Sequence, residues 1–314
     1  MNLSKLISRR HRGSQFISTW RTTSANETIT LPTPTNYPVD WGDGTSTTNT
    51  NSHVYSIAGD YEIKIRGEIT DFAFSNTGDK LKIIEILNWG NLTLILNSFY
   101  GCVNLDVNSV SDIPSIDILI ADSFRDCRVL TWNNLVGSLP VVDTLNIDRM
   151  FTNCFIFNEN LNSWDVSNLT SLVQIFNNCR AFNYPLDNWQ VGSVLDLSSL
   201  FRGALVFNQD LSSWDISNAE NLSNMFNNAR DYNQNLSNWD FSNVKDMSGF
   251  MLNKSLYDAN YLSDLLTKLD QDLVFANMIN VNLDFGTIKY DSTGVTAYNS
   301  LVSKGFIITS GGQV

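Results

Sequence analysis

The chain is predicted to be mainly β with short helical returns: a small antiparallel β-sandwich, a solenoid of coils of about 25 residues, and a C-terminal α/β cap. Three observations predict this. Trp164, Trp189, Trp214 and Trp239 fall 25 residues apart, and Phe151, Phe176, Phe201 and Phe226 keep the same step, as do Asn158, Asn183, Asn208 and Asn233. Inside each copy the apolar residues alternate with polar ones over a few positions and then switch to a helical spacing. Ahead of the copies lies a segment of different rhythm, made of short β-rich runs bounded by Gly, Pro, Asn and Thr. The borders that follow are a basic arm over 1–14, a sandwich over 15–68, a solenoid over 69–252 and a cap over 253–314.

The arm, "MNLSKLISRRHRGSQ", carries Lys5, Arg9, Arg10 and Arg12 and no acid. Taking those four positive charges from the net charge of −12 leaves the remainder at −16, so arm and body are opposite in sign. A secretory signal needs an apolar core of about 7 to 15 residues after its basic part. Here Leu3, Leu6 and Ile7 precede the charges, so Sec export is not expected. Two readings stay open for the arm: a solvated tail, or a peptide that orders on docking to an acidic partner surface.

The runs "FISTWRTT", "ETITLPT", "YPVDWGDGT", "NSHVYS" and "GDYEIKIRG" have the pattern of a small antiparallel sandwich. Asp43-Gly44 marks a tight turn. The string "VDWGDGTSTTNTNSHVYSIAGDYEIKI" resembles polycystic-kidney-disease-type (PKD) domains, with their W-x-x-G-D-G-T-like turn followed by H-x-Y and G-x-Y. This resemblance covers about residues 36–67. Asp40 and Asp43 are weak candidates for calcium, with a turn and a strand-end carboxylate as the commoner explanation.

In the coils, Leu161, Trp164 and Val166 make L-x-x-W-x-V and are followed by Asn168 and Leu169, near the L-x-x-L-x-L-x-x-N pattern of leucine-rich repeats. Period-two alternation predicts a short strand with Trp164 and Val166 inward and Ser163 and Asp165 outward. Leu169, Leu172, Ile175, Phe176 and Cys179 stand at helical spacing, which predicts a helical or 3₁₀ return. Phe74, Phe99 and Phe124 carry the step upstream, and Phe124 to Phe151 is the same step with two residues inserted. Cys102, Cys127, Cys154 and Cys179 each follow a repeat phenylalanine by three residues, and Ala204 and Ala229 fill that place later. Interchange with alanine marks a small buried slot. Buried thiols are therefore expected in preference to disulfides or a zinc site.

The coils "MFTNCFIFNENLNSWDVSNLTSL" and "MFNNARDYNQNLSNWDFSNVKDM", with the PKD-like module, the passage "GDKLKIIEILNWGN" and the closing "GVTAYNSLVSKGFIITSGG", resemble the BspA-like leucine-rich-repeat surface proteins from about residue 16 to the end. The resemblance implies adhesion and ligand recognition, often on bacterial surfaces, with homologues in bacteriophage structural genes. The sequence departs from that family in showing no export signal and no lipid-attachment cysteine near the N-terminus.

Chemistry narrows the functions further. A net charge of −12 argues against nucleic acid, because phosphate contacts need a basic face. No apolar run approaches the length of a membrane span. His11 and His53 are the two histidines, and neither stands in a metalloprotease, nucleophile-elbow or P-loop pattern. A glycosidase built on Asp215 and Asp240, expected about 5 Å apart on adjacent coils, is the surviving enzyme reading. Against it, a catalytic pair is normally unique, whereas these aspartates recur. No catalytic residue and no cofactor are expected. The outward set Ser163, Asp165, Asn188, Gln190, Ser213, Asp215, Asn238 and Asp240 is either a solvated face or a recognition surface. The tryptophans are either a buried core ladder, which alternation with Ser163 and Asp165 favours, or, exposed in a row, an aromatic platform for glycans. The reading that results is a non-enzymatic structural and recognition protein. It is placed on a phage virion, assembled in the bacterial cytoplasm, where its arm binds other virion or surface proteins. Its ligand is a host-surface glycan or protein. A cell-surface adhesin is the alternative and a polysaccharide hydrolase the remote one. Clustered presentation in a homo-oligomer would raise avidity for a weak ligand.

Overall fold

The computed structural model describes residues 15–107, 110, 112–132, 145–253, 257–272, 282–285 and 288–314. The chain is mainly β, with a five-stranded antiparallel sheet and short helices. It divides into two compact units, Met1–Gly137 with Asn153–Glu159, and Ser138–Thr152 with Asn160–Val314.

The first unit opens with β1 (Phe16–Thr22), β2 (Glu27–Thr30), β3 (Val39–Asp40), β4 (Ser46–Thr47), β5 (Ser52–Tyr55), β6 (Gly59–Ile65) and β7 (Ile83–Asn88). Their order in the main sheet is β4-β3-β6-β1-β7, and β2 pairs with β5 beside it. Alternation explains β1: Phe16, Ser18, Trp20 and Thr22 are buried while Arg21 is exposed. Phe16 meets Phe72 edge-on with ring centroids 5.2 Å apart, and Trp20 lies 5.8 Å from Phe74. Strand β7 stands where the sequence predicts the first coils, yet it pairs with β1 through Trp20 and Ile83, so the sheet reaches past residue 68.

Later in this unit, β8 (Thr93–Leu94) and β9 (Ser115–Ile116) pair in parallel. Phe74 N–H donates to the Ser98 carbonyl at 3.0 Å and Phe99 N–H to that of Ser123 at 2.8 Å, a step of one repeat each. Phe99 and Phe124 stack with centroids 5.6 Å apart.

The second unit repeats this arrangement more regularly. Gln174, Phe176 and Asn178 donate their backbone N–H groups to the carbonyls of Ser198, Leu200 and Arg202 at 3.1, 3.1 and 2.7 Å. Ser199, Phe201 and Gly203 donate in the same way to Ser223, Met225 and Asn227. Phe176 stacks on Phe201 at 5.8 Å and Phe201 on Phe226 at 5.7 Å.

Two local expectations are corrected here. No strand forms at Trp164–Val166; parallel bridges lie further on, joining Ser171 to Asp196, Asp196 to Asn221 and Asn221 to Asp246. The stretch from Leu169 to Cys179 forms a bridge at Ser171 and consecutive turns over 173–178 in place of a helical or 3₁₀ return. Its backbone is left-handed at Gln174 (φ 58°) and Asn178 (φ 60°), and a right-handed helix cannot pass through either position.

All four cysteines are buried, and none forms a disulfide. Cys127 Sγ donates to the Phe99 carbonyl, Cys154 Sγ to Phe124 and Cys179 Sγ to Phe151, at 3.2, 3.1 and 3.0 Å. Each sulfur thus reaches the phenylalanine carbonyl one repeat earlier. Burial pushes the Cys102 and Cys127 thiols well up, against the thiolate that oxidation needs.

The chain ends in α1 (Ala259–Asp272), β10 (Asn282–Asp284), α2 (Gly294–Ser303) and β11 (Ile307–Thr309), with β10 and β11 parallel. Leu262, Leu265, Leu266 and Leu269 make the buried stripe of α1. The cap is tied to the last repeat by Tyr257 OH to the Gln234 carbonyl, Asp258 N–H to Asn233 Oδ1 and Phe241 N–H to Asp272 Oδ2, at 2.9, 2.7 and 2.9 Å. Among the described residues no helix is long and apolar enough to cross a membrane.

Candidate functional site

The site is built outward from the tryptophans. Trp164, Trp189, Trp214 and Trp239 are at most 3% exposed, so none of them offers an aromatic face to a ligand. An indole N–H buried without an acceptor costs free energy. Here the Nε1 groups of Trp189, Trp214 and Trp239 donate to the carbonyls of Leu161, Leu186 and Leu211 one repeat back, at 2.9, 3.0 and 2.9 Å. Trp189 and Trp214 lie nearly parallel, with centroids 6.3 Å apart.

Holding each indole inward turns its neighbours outward. Ser163, Asp165, Asn188, Gln190, Ser213, Asp215, Asn238 and Asp240 are all exposed, and they form one polar strip across successive repeats of the second unit. Three carboxylates on the strip close short local turns. Asp165 Oδ1 accepts from the Ser167 amide and hydroxyl at 3.0 and 2.6 Å, and Asp215 and Asp240 accept from the amides of Ser217 and Ser242. Hydrogen bonds from those serines hold the three carboxyls below the usual carboxylate range, so the strip is anionic at neutral pH. The negative charge of Asp240 acts in the opposite, weaker sense on Asp215.

One repeat departs from the others. Gln190 stands where Asp165, Asp215 and Asp240 stand elsewhere, and Gly192 replaces Ser167, Ser217 and Ser242. Two open depressions lie on either side of Gln190. One is lined by Asn162, Ser163, Asp165 and Asn188, the other by Gly192, Ser193, Ser213 and Asp215, and Ser167 and Gln190 border both. The difference is legible in "WDVSN", "WQVGS", "WDISN" and "WDFSN", where the invariant Trp keeps the 25-residue step and the two following outward positions change.

The remaining sequence candidates lie elsewhere. Lys5, Arg9, Arg10 and Arg12 lie outside the described residues. Asp40 Oδ1 accepts from the Gly42 amide, and Asp43 accepts from the Thr45 amide and hydroxyl and bonds His53 Nε2 at 2.7 Å. Burial raises the Asp43 pKa, but the Thr45 and His53 hydrogen bonds outweigh it and leave the value at about 2. Asp43 therefore serves as a turn carboxylate, and Asp40 is the carboxylate at the end of β3. Among the described residues no group of three or more His, Cys, Asp or Glu is placed to hold a metal. Glu159, which the repeat pattern does not single out, accepts from the Trp132 amide at 3.0 Å and has its pKa raised by burial.

No curated protein and no solved structure matches the chain. The segment that carries the strip, residues 145–264, is similar to a family described as Mycoplasma protein of unknown function, DUF285.

Proposed function

We propose that the chain is a non-enzymatic structural and recognition protein whose repeats stack as a leucine-rich-repeat-like solenoid behind a PKD-like module, as in the BspA-like surface proteins it resembles. The reading rests on one observation: the repeats bury every tryptophan of the ladder and leave eight polar side chains exposed at equivalent positions. A repeated coil is free to vary outward while packing holds its inward positions.

A hydrolase reading is weaker. A glycosidase needs one carboxyl kept protonated as general acid, and Asp215 and Asp240 are both shifted towards the ionised form. The setting we propose is a bacteriophage head or tail appendage that contacts the host surface, with the basic arm binding other virion proteins. A cell-surface adhesin is the competing setting, and the two predict different locations. Mass spectrometry of purified virions and of envelope fractions from the same culture separates them. The chain is expected in the virions, and recovery in the envelope alone overturns that setting.

A further inference from the structure

The strip is not uniform, and its one irregular repeat is where the surface opens. Gln190 replaces a carboxylate and Gly192 a hydroxymethyl group, so this rung lacks both the charge and the bulk of its neighbours. A Cβ on Gly192 would sit 3.4 Å from Asp215 Oδ2, which shows how directly the missing side chain opens the second depression. The backbone does not require glycine there, since Gly192 is not among the residues of positive φ.

Lining chemistry narrows the ligand. The polar groups bordering the depressions are hydroxyls (Ser163, Ser167, Ser193, Ser213), amides (Asn162, Asn188, Gln190) and carboxylates (Asp165, Asp215), with no cation among them. The apolar lining residues, Trp164, Val166, Trp189 and Val191, are at most 2% exposed, so the depressions give a protein partner none of the apolar anchors that dominate protein interfaces. Anionic ligands are repelled by Asp165 and Asp215. A neutral polyol suits the set, because its hydroxyls donate to the carboxylates while the Gln190 amide both donates and accepts.

We propose that the two depressions flanking Gln190 form a subsite for a neutral oligosaccharide lying across three successive repeats, from Asp165 to Asp215. This rests on the recognition reading above and names its ligand class. Saturation-transfer NMR with chitotriose, mannotriose and cellotriose, and with sialyllactose as the anionic comparison, tests it on the full chain. The informative variant is the double substitution Gln190→Asp, Gly192→Ser. It rebuilds the Asp-Ser turn of Asp165 and Ser167, so it is expected to fold and to melt like the parent. Lys245→Gln, which removes an exposed ion pair with Glu220 away from the strip, is the control.

At least one neutral trisaccharide is expected to bind, sialyllactose to bind more weakly, and the double variant to lose affinity at least tenfold while the control keeps it. Equal binding by the double variant overturns the subsite. If no neutral trisaccharide binds, the ligand class is overturned. Retention on host envelopes that is lost on replacing Asp165 and Asp215 by Asn would then leave the recognition reading standing without it. Absence of both kinds of binding removes the recognition reading itself.

Discussion

At the scale of single residues, Trp214 is the most informative position. It is 3% exposed, stacks on Trp189 and donates Nε1–H to Leu186, so packing and a satisfied buried donor act together. Truncation removes a large apolar volume and leaves the Leu186 carbonyl without that donor. Trp214→Ala is expected to cost roughly 3–5 kcal/mol, measured by urea denaturation. Asp215→Asn with Asp240→Asn, at exposed neighbours of the indoles, should stay within about 0.5 kcal/mol of the parent. If Trp214→Ala proved as stable as the parent while the aspartate pair unfolded, the inward and outward assignments would be reversed.

At the scale of one repeat, the element that recurs is a pair of left-handed residues four positions apart. Gln174 and Asn178, Ser199 and Gly203, and Asn224 and Asn228 all have φ between 56° and 69°. A non-glycine residue pays roughly 1–2 kcal/mol for this conformation. The repayment is the run of backbone bonds to the next repeat, because the left-handed kinks aim alternate N–H groups along the stack. Gly203 shows the steric side: with φ at 69°, an added Cβ would run into Asn178 Oδ1. Gly203→Ala is therefore expected to destabilise by about 1–2 kcal/mol. Gly203→Asn, the residue that sister repeats place at 178 and 228, brings the same Cβ contact and should cost less on the backbone side alone, because asparagine tolerates the left-handed region. Thermal melts of the two variants check the order, and an alanine variant as stable as the asparagine one would refute this account.

For the molecule as a whole, the proposed stacking of repeats would leave an apolar end to be closed. In the second unit α1 buries four leucines, and Asp272 at its end together with Tyr257 and Asp258 just before it hydrogen-bond the last repeat. In the first unit the sheet shares its core with the early repeats through Phe16, Phe72 and Phe99, with Phe72 and Phe99 centroids 5.7 Å apart. Among the described residues the buried set begins at Phe16, and Lys5, Arg9, Arg10 and Arg12 lie outside those residues. Deleting residues 1–14 should therefore leave the melting temperature unchanged while abolishing incorporation into the proposed assembly, read by comparing the assembled fraction with that of the full chain. Normal incorporation would remove the arm from the proposal.

What the sequence determined by itself is which residues are inside. A 25-residue step in Trp, Phe, Asn and Leu assigns every copy the same packing role, and the tryptophan ladder, the small cysteine slot and the outward polar strip all follow from it. Burial is legible this way because it depends on side-chain type at a repeated position. What only the tertiary structure decided is how the backbone meets its neighbours. Apolar alternation put a strand at Trp164–Val166, yet the parallel bridges lie at Ser171, Asp196, Asn221 and Asp246. Helical spacing from Leu169 to Cys179 predicts a helical or 3₁₀ return, yet the N–H groups of Gln174, Phe176 and Asn178 bond one repeat away. The same reason covers β7, whose residues continue the coil pattern but pair with β1. Local periodicity constrains which way side chains face, whereas hydrogen-bond partners come from a chain segment distant in sequence, and only stacking determines which segment that is.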